Sequence, residues 1–115
     1  MSVTIYHNPR CSKSRQTLQL LKDRGIAPRI IEHLKDPPDA AALRALLKQL
    51  GLGARDVLRR GEGAYKELGL ADPNMSEDEL IAAVVANPIL LERPIVVKGA
   101  RAVLGRPPEN VLKLL

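Results

Sequence analysis

The chain is nearly devoid of aromatic side chains: among 115 residues there are two Tyr and neither Phe nor Trp. Base-stacking recognition of single-stranded nucleic acid relies on such rings, so their scarcity argues against that class. There is one cysteine, Cys11, and two histidines, His7 and His33. A lone cysteine cannot close an internal disulfide or build a cysteine-rich metal site. A site made of His7, Cys11 and His33 would use every soft ligand in the chain and still leave a coordination position open. No stretch approaches the ~20 apolar residues of a membrane span. The opening MSVTIYHNPR has no charged start followed by a long apolar run, which argues against a secretory signal. The expectation is a cytoplasmic protein whose single thiol stays reduced, with no membrane, nucleic-acid or metal partner.

What remains is an aliphatic domain, 45% hydrophobic, of ordinary single-domain length (1–115). A chain of this size buries roughly 65% of its unfolded surface, enough for a core without staples. The charge is unevenly placed. Eighteen Lys and Arg against thirteen Asp and Glu leave +5. Six of the cations (Arg10, Lys13, Arg15, Lys22, Arg24, Arg29) face only Asp23 within residues 1–29, so the whole excess lies there. An excess confined to so short a segment suits a small anionic substrate better than a nucleic-acid footprint.

Alternation of Val3 and Ile5 predicts a first strand, ended by Asn8-Pro9. Leu18, Leu20 and Leu21 predict a helix from Cys11 to about Arg24, stopped by Gly25, and RIIEHL after Pro28 reads as a second strand. Leu43, Leu46, Leu47 and Leu50 form one helical stripe behind Asp39, closed by Gly51. ARDVLRR reads as a helical turn and GEGAYKELGLADPN as a loop. Ser76 and Glu79 form a capping box before Leu80, Ile81, Val84 and Val85, a helix that Asn87-Pro88 ends. Ile95-Val96-Val97 and Ala102-Val103-Leu104 then read as a hairpin turning over Lys98–Arg101. A last helix begins at Pro107-Pro108, with Val111, Leu112, Leu114 and Leu115 as its buried side. The order is α/β: β-α-β, a helical insertion over about 36–92, then β-β-α with a small mixed sheet. It matches a thioredoxin-like fold, although order alone allows other α/β or α+β arrangements.

The chemistry concentrates in His7-Asn8-Pro9-Arg10-Cys11-Ser12-Lys13-Ser14-Arg15, between the first strand and the first helix. Ligand sites in open α/β sheets form at such strand ends. A helix N-terminus stabilises a thiolate through its unpaired N–H groups and dipole. An unperturbed thiol of pKa about 8.5 is only ~3% ionised at pH 7. Lowering it by two units is worth about 2.7 kcal/mol and makes the thiolate dominant. The helix end, Arg15 and a cationic His7 could supply that shift, with Ser12 and Ser14 as hydroxyl donors. Position 14 is Ser, which excludes a C-x-x-C dithiol. Position 17 is Thr and Arg15 comes too soon, so the phosphatase spacing fails as well. Papain-like catalysis needs a larger scaffold. The remaining reading is a monothiol nucleophile completed by an external thiol. Eleven of the eighteen cations are arginines, whose planar forks match tetrahedral oxyanions.

HNPRCSKSR, the LRR…YKELGL stretch, NPILLERPIVV and GRPPENVL together resemble the glutaredoxin-coupled arsenate reductases of bacteria, the ArsC family of the thioredoxin-like superfamily. The resemblance runs through essentially the whole chain. It implies Cys11 as the nucleophile toward arsenate, with Arg59, Arg93 and Arg106 holding the oxyanion. His7 and Ser14 would support the thiolate, with Arg15 secondary and a cis bond between Arg93 and Pro94. It further implies glutathione as cosubstrate, glutaredoxin as partner and no bound cofactor. An ending just after the last helix and the glycines around Glu62 suggest a short, chromosomal branch. Two alternatives stand beside it: another glutathione-dependent oxidoreductase, or an RNA-polymerase-binding regulator of the same superfamily. Retention of Ser14 and of all three arginines argues against the regulator.

Overall fold

A computed structural model describes residues 2–115. The chain divides into two compact units, residues 1–36 with 93–115 and residues 37–92.

The first unit is a four-stranded mixed sheet with one long helix. Its strands are β1 (Val3–His7), β2 (Arg29–Glu32), β3 (Ile95–Lys98) and β4 (Arg101–Leu104), in the order β2-β1-β3-β4. β1 runs parallel to β2 and antiparallel to β3, and β3 pairs antiparallel with β4. The parallel pair requires a crossover, which α1 (Ser12–Asp23) provides. Burial alternates along β1, so Val3, Ile5 and His7 share one buried side. On α1 the buried residues are Ser14, Thr17 and Leu21, one helical stripe. Val3, Ile5, Leu21, Val96, Val111 and Leu114 form the core. His7 and Ser14 thus continue two apolar surfaces at the end of the core where β1 hands over to α1.

Several sequence expectations need correction here. β2 stops at Glu32, with His33 and Leu34 in the turn beyond it. The hairpin turn is the pair Gly99-Ala100, because Lys98 and Arg101 are opposed in the ladder. Pro107-Pro108 opens a 3₁₀ segment (Pro108–Leu114), not an α-helix. Its tighter three-residue turn buries Val111 and Leu114 and leaves Leu115 exposed.

The second unit is helical. Asp39 caps α2 (Ala40–Leu50) by accepting from the Ala42 N–H at 2.8 Å, and Gly51 ends it in a left-handed conformation (φ 70°). The expected helical turn is a 3₁₀ segment (Ala54–Val57), but the stretch read as a loop contains a short helix, α3 (Gly63–Glu67). α3 buries no residue, so it carries no periodic signal. The Ser76–Glu79 capping box is formed ahead of α4 (Glu77–Ala86). Leu43, Leu46, Leu47, Val57, Leu80, Ile81 and Val84 are all buried in this unit.

Candidate active site

Cys11 stands at the N-cap of α1 with extended backbone (φ −91°, ψ 122°). The turn bringing it there is fixed locally. The Cys11 N–H donates to the Asn8 carbonyl at 3.0 Å, and the Asn8 Oδ1 accepts from the Arg10 N–H at 3.0 Å. The sulfur makes no strict capping hydrogen bond. Its pKa is nonetheless below the ordinary thiol value. Partial burial pushes it up, but the Ser14 N–H, the Arg93 guanidinium and the Lys13 N–H together more than offset that.

The nearest cation is not the one expected from chain position. Arg15 donates its Nη1 to the Pro9 carbonyl at 2.9 Å and so braces the loop. The groups that lower the Cys11 pKa come from Arg93 and the helix end. The second arginine at the thiol is Arg106, whose Nη1 lies 3.7 Å from the Cys11 sulfur and 3.1 Å from the Arg93 carbonyl oxygen. Arg93 and Arg106 therefore meet at the thiol although the sequence separates both widely from it. Arg93 is only 8% exposed, and its Nε and Nη1 are buried with no hydrogen-bond partner. A buried guanidinium lacking acceptors is costly, and a ligand that brings oxygens removes that cost.

His7 and Ser14 form a second layer. His7 Nδ1 is 2.6 Å from the Ser14 hydroxyl, and the same hydroxyl accepts from the Asn8 N–H at 3.1 Å. The expected cationic His7 is overturned: burial holds the imidazole below its ordinary pKa, with Arg15 and Lys22 adding to the shift and Glu32 opposing it. His7 is thus neutral near pH 7 and reaches the thiol's surroundings through Ser14, not as a charge. A neutral Nδ1 accepts the Ser14 O–H, which leaves the hydroxyl's lone pairs for Asn8.

Where the Arg106 segment meets α1, the backbones are held close. The Gly105 N–H donates to the Pro94 carbonyl at 2.8 Å, and Thr17 Oγ1 donates to the Lys13 carbonyl (2.9 Å) and the Gly105 carbonyl (3.3 Å). A Cβ on Gly105 would fall 2.7 Å from both Pro94 Cγ and Thr17 Oγ1, so only glycine fits. The Arg93–Pro94 bond is cis, as the resemblance implies, and so is Arg106–Pro107.

Arg59 belongs to the helical unit. Its Nε is 3.1 Å from Glu62 and its Nη1 2.8 Å from Glu92, with all three side chains about one-quarter exposed. The sequence reading missed these carboxylates, together with the supporting parts played by Asn8, Thr17 and Gly105. Gly105 had a visible signal, a glycine directly ahead of Arg-Pro. Thr17 and Glu92 are ordinary polar residues whose partners Gly105 and Arg59 lie far along the chain, while Asn8 and Glu62 bond near neighbours in contacts that no periodic pattern marks. Among the described residues no group of three His, Cys, Asp or Glu side chains could hold a metal ion, and no helix is long and apolar enough to cross a membrane.

The chain is similar to known proteins over nearly its full length. The chain is 57% identical to the uncharacterized protein YfgD of Escherichia coli, covering 98% of this chain and 96% of that one. It is 47% identical to an arsenate reductase of Neisseria meningitidis, covering 98% and 97%. The solved structure of an arsenate reductase from Vibrio cholerae superposes with a TM-score of 0.97 at 52% identity, covering 100% of this chain and 98% of that one. That likeness extends the thioredoxin-like reading of the element order to the observed sheet. The model of the ArsC family matches residues 6–114, and the chain belongs to that family.

Proposed function

We propose that this protein reduces arsenate to arsenite, with Cys11 as nucleophile and with glutathione and glutaredoxin as reductants. The observation that carries the reading is Arg93, nearly buried beside a thiol of lowered pKa and holding two guanidinium nitrogens without protein acceptors. Such a group suits a small oxyanion, and relatives named arsenate reductases support arsenate as that oxyanion.

In this mechanism the Cys11 thiolate attacks arsenic, an As–O bond breaks, and the oxygen leaves as water after taking a proton. Arg93 and Arg106 hold the remaining oxygens and stabilise the charge that develops in the transition state. Arg59 is assigned a third contact by resemblance. Ser14 and His7 keep the Cys11 loop in register. The thiol of glutathione then displaces a second oxygen from arsenic as water and forms an As–S bond. A glutaredoxin thiolate attacks the glutathionyl sulfur, and that As–S bond breaks with its electron pair left on arsenic, so two thiols become one disulfide as arsenic gains two electrons. Water then cleaves the Cys11–As bond, releasing arsenite and restoring the thiol. The lone cysteine suits this route, since no second internal thiol can resolve the adduct. A reducing cytoplasm is the compartment where it would operate.

The test is arsenite formation by wild type, Arg93→Ala and Arg106→Ala, with iodoacetamide labelling of Cys11 as the control for a folded, reactive thiol. Loss of one such donor costs roughly a hundredfold or more in turnover. Unchanged arsenite formation in both variants would contradict the oxyanion role.

A further inference from the structure

We infer that the cavity at the carboxyl ends of β1 and β2 receives one arm of the thiol cosubstrate, a short peptide thiol carrying two carboxylates and an ammonium group. This rests on the reading above and adds where and how that cosubstrate is held. The cavity measures about 220 Å³ and is lined by His7, Asn8, Pro9, Arg10, Glu32, Leu34 and Lys35. Pockets that enclose whole small molecules usually exceed about 300 Å³, so this one suits a single arm with the rest of the peptide outside.

Its charges fit such an arm and do not fit arsenate. Arg10 is exposed, and among the described residues its guanidinium makes no hydrogen bond or ion pair, only its backbone N–H being engaged. Lys35 and Glu32 stand 3.8 Å apart, a long and solvated pair that a ligand can part at little cost. Two cations and one carboxylate thus offer complementary contacts to a carboxylate and an ammonium, whereas Glu32 would repel a free oxyanion. Exposed Leu34 lies beside them as a surface for the methylene groups of the arm.

The position suits delivery of a thiol. Arg10 precedes Cys11 directly, so their Cα atoms are about 3.8 Å apart. A peptide anchored through one arm at Arg10, Glu32 and Lys35 leaves its thiol outside the cavity, on the side of the loop that carries Cys11. His7, neutral and with Nδ1 accepting from Ser14, lines the same cavity, and its Nε2–H is a donor for a carboxylate or thiolate of the incoming peptide.

The test uses the wild-type protein and S-methylglutathione, which has the same charges and cannot react. Titration followed by amide NMR should give saturable shifts at Asn8, Arg10, Glu32 and Lys35. In Arg10→Glu with Lys35→Glu, binding should weaken at least about tenfold, and the KM for glutathione in turnover should rise by a similar factor. With 2-mercaptoethanol, which has neither carboxylate nor ammonium, that variant and wild type should respond alike. Shifts confined to another face, or a glutathione KM within twofold of wild type, would overturn the subsite and leave the arsenate reading standing. Saturable cavity shifts in a protein that forms no arsenite would sink the arsenate reading and keep the subsite for an anionic peptide.

Discussion

The Nη1 of Arg106 lies 3.7 Å from the sulfur of Cys11, ninety-five residues away in the chain. The same nitrogen holds the Arg93 carbonyl at 3.1 Å, so one guanidinium ties the thiol to the residue that most directly charges its surroundings. Arg93 lowers the Cys11 pKa as a donor and as a charge. The rate of iodoacetamide labelling should therefore reach half-maximum at a pH below the ordinary thiol range. Arg93→Ala should move that midpoint upward, and Arg93→Lys should recover part of the shift. Because the depressed pKa belongs to the folded state, stability should rise with pH between the folded and unfolded thiol pKa values and fall away as pH drops through the folded one. Urea unfolding of Cys11→Ser should lack that rise. A labelling midpoint indifferent to Arg93 would contradict the account.

The contact between His7 and Ser14 makes a separate prediction. Ser14→Ala removes a fully buried hydroxyl and leaves His7 Nδ1 and the Asn8 N–H without it. The expected cost is about 1–3 kcal/mol of unfolding free energy, measured by urea denaturation. His7 is held below its ordinary value of 6.5 in the fold. The unfolded chain therefore binds the extra proton first, and stability should decline as pH falls below about 6.5. His7→Gln should flatten that decline. If it does not, His7 is not the group responsible.

Gly105 positions Arg106 through its packing. In Gly105→Ala the new methyl meets Pro94 and Thr17 at distances real Cβ atoms do not tolerate. Overpacking of this kind costs about 1–3 kcal/mol, and here it also moves the residue before Arg106. We expect a lowered Tm together with a drop in kcat/KM for arsenate larger than Thr17→Ser produces. An alanine variant with wild-type Tm and turnover would show that the close approach is dispensable.

Arg59→Ala should raise the KM for arsenate roughly tenfold, the scale of one charge-assisted hydrogen bond. The Cys11 labelling midpoint should stay where it is, since Arg59 is not among the groups that shift it. Steady-state kinetics beside the labelling profile separates the two. A moved midpoint with an unchanged KM would remove Arg59 from the substrate's side of the mechanism.

Much of the scaffold was legible in the sequence because it rests on periodicity and punctuation. Alternation in VTIYH, the leucine stripe of α2, the Ser76–Glu79 box and the glycine stop at Gly51 all act locally, and all formed where expected. α3 was illegible because it buries nothing, and the last helix was legible in place but not in kind. The site divides the same way. Cys11 at a helix start was readable from its neighbours. That Arg93 and Arg106 meet there depends on β3 pairing with β1 and on Gly105 closing against Thr17, which no local pattern encodes. The charge on His7 was misread because its burial depends on α1 packing over β1.

The measurement closest to the central claim is arsenate-dependent oxidation of NADPH in the presence of glutathione, glutaredoxin and glutathione reductase, for wild type and Cys11→Ser. The account predicts turnover by wild type that requires both thiol components and disappears in Cys11→Ser. Folded wild-type protein with a reactive Cys11 and no arsenate-dependent oxidation, or oxidation that persists in Cys11→Ser, would contradict it.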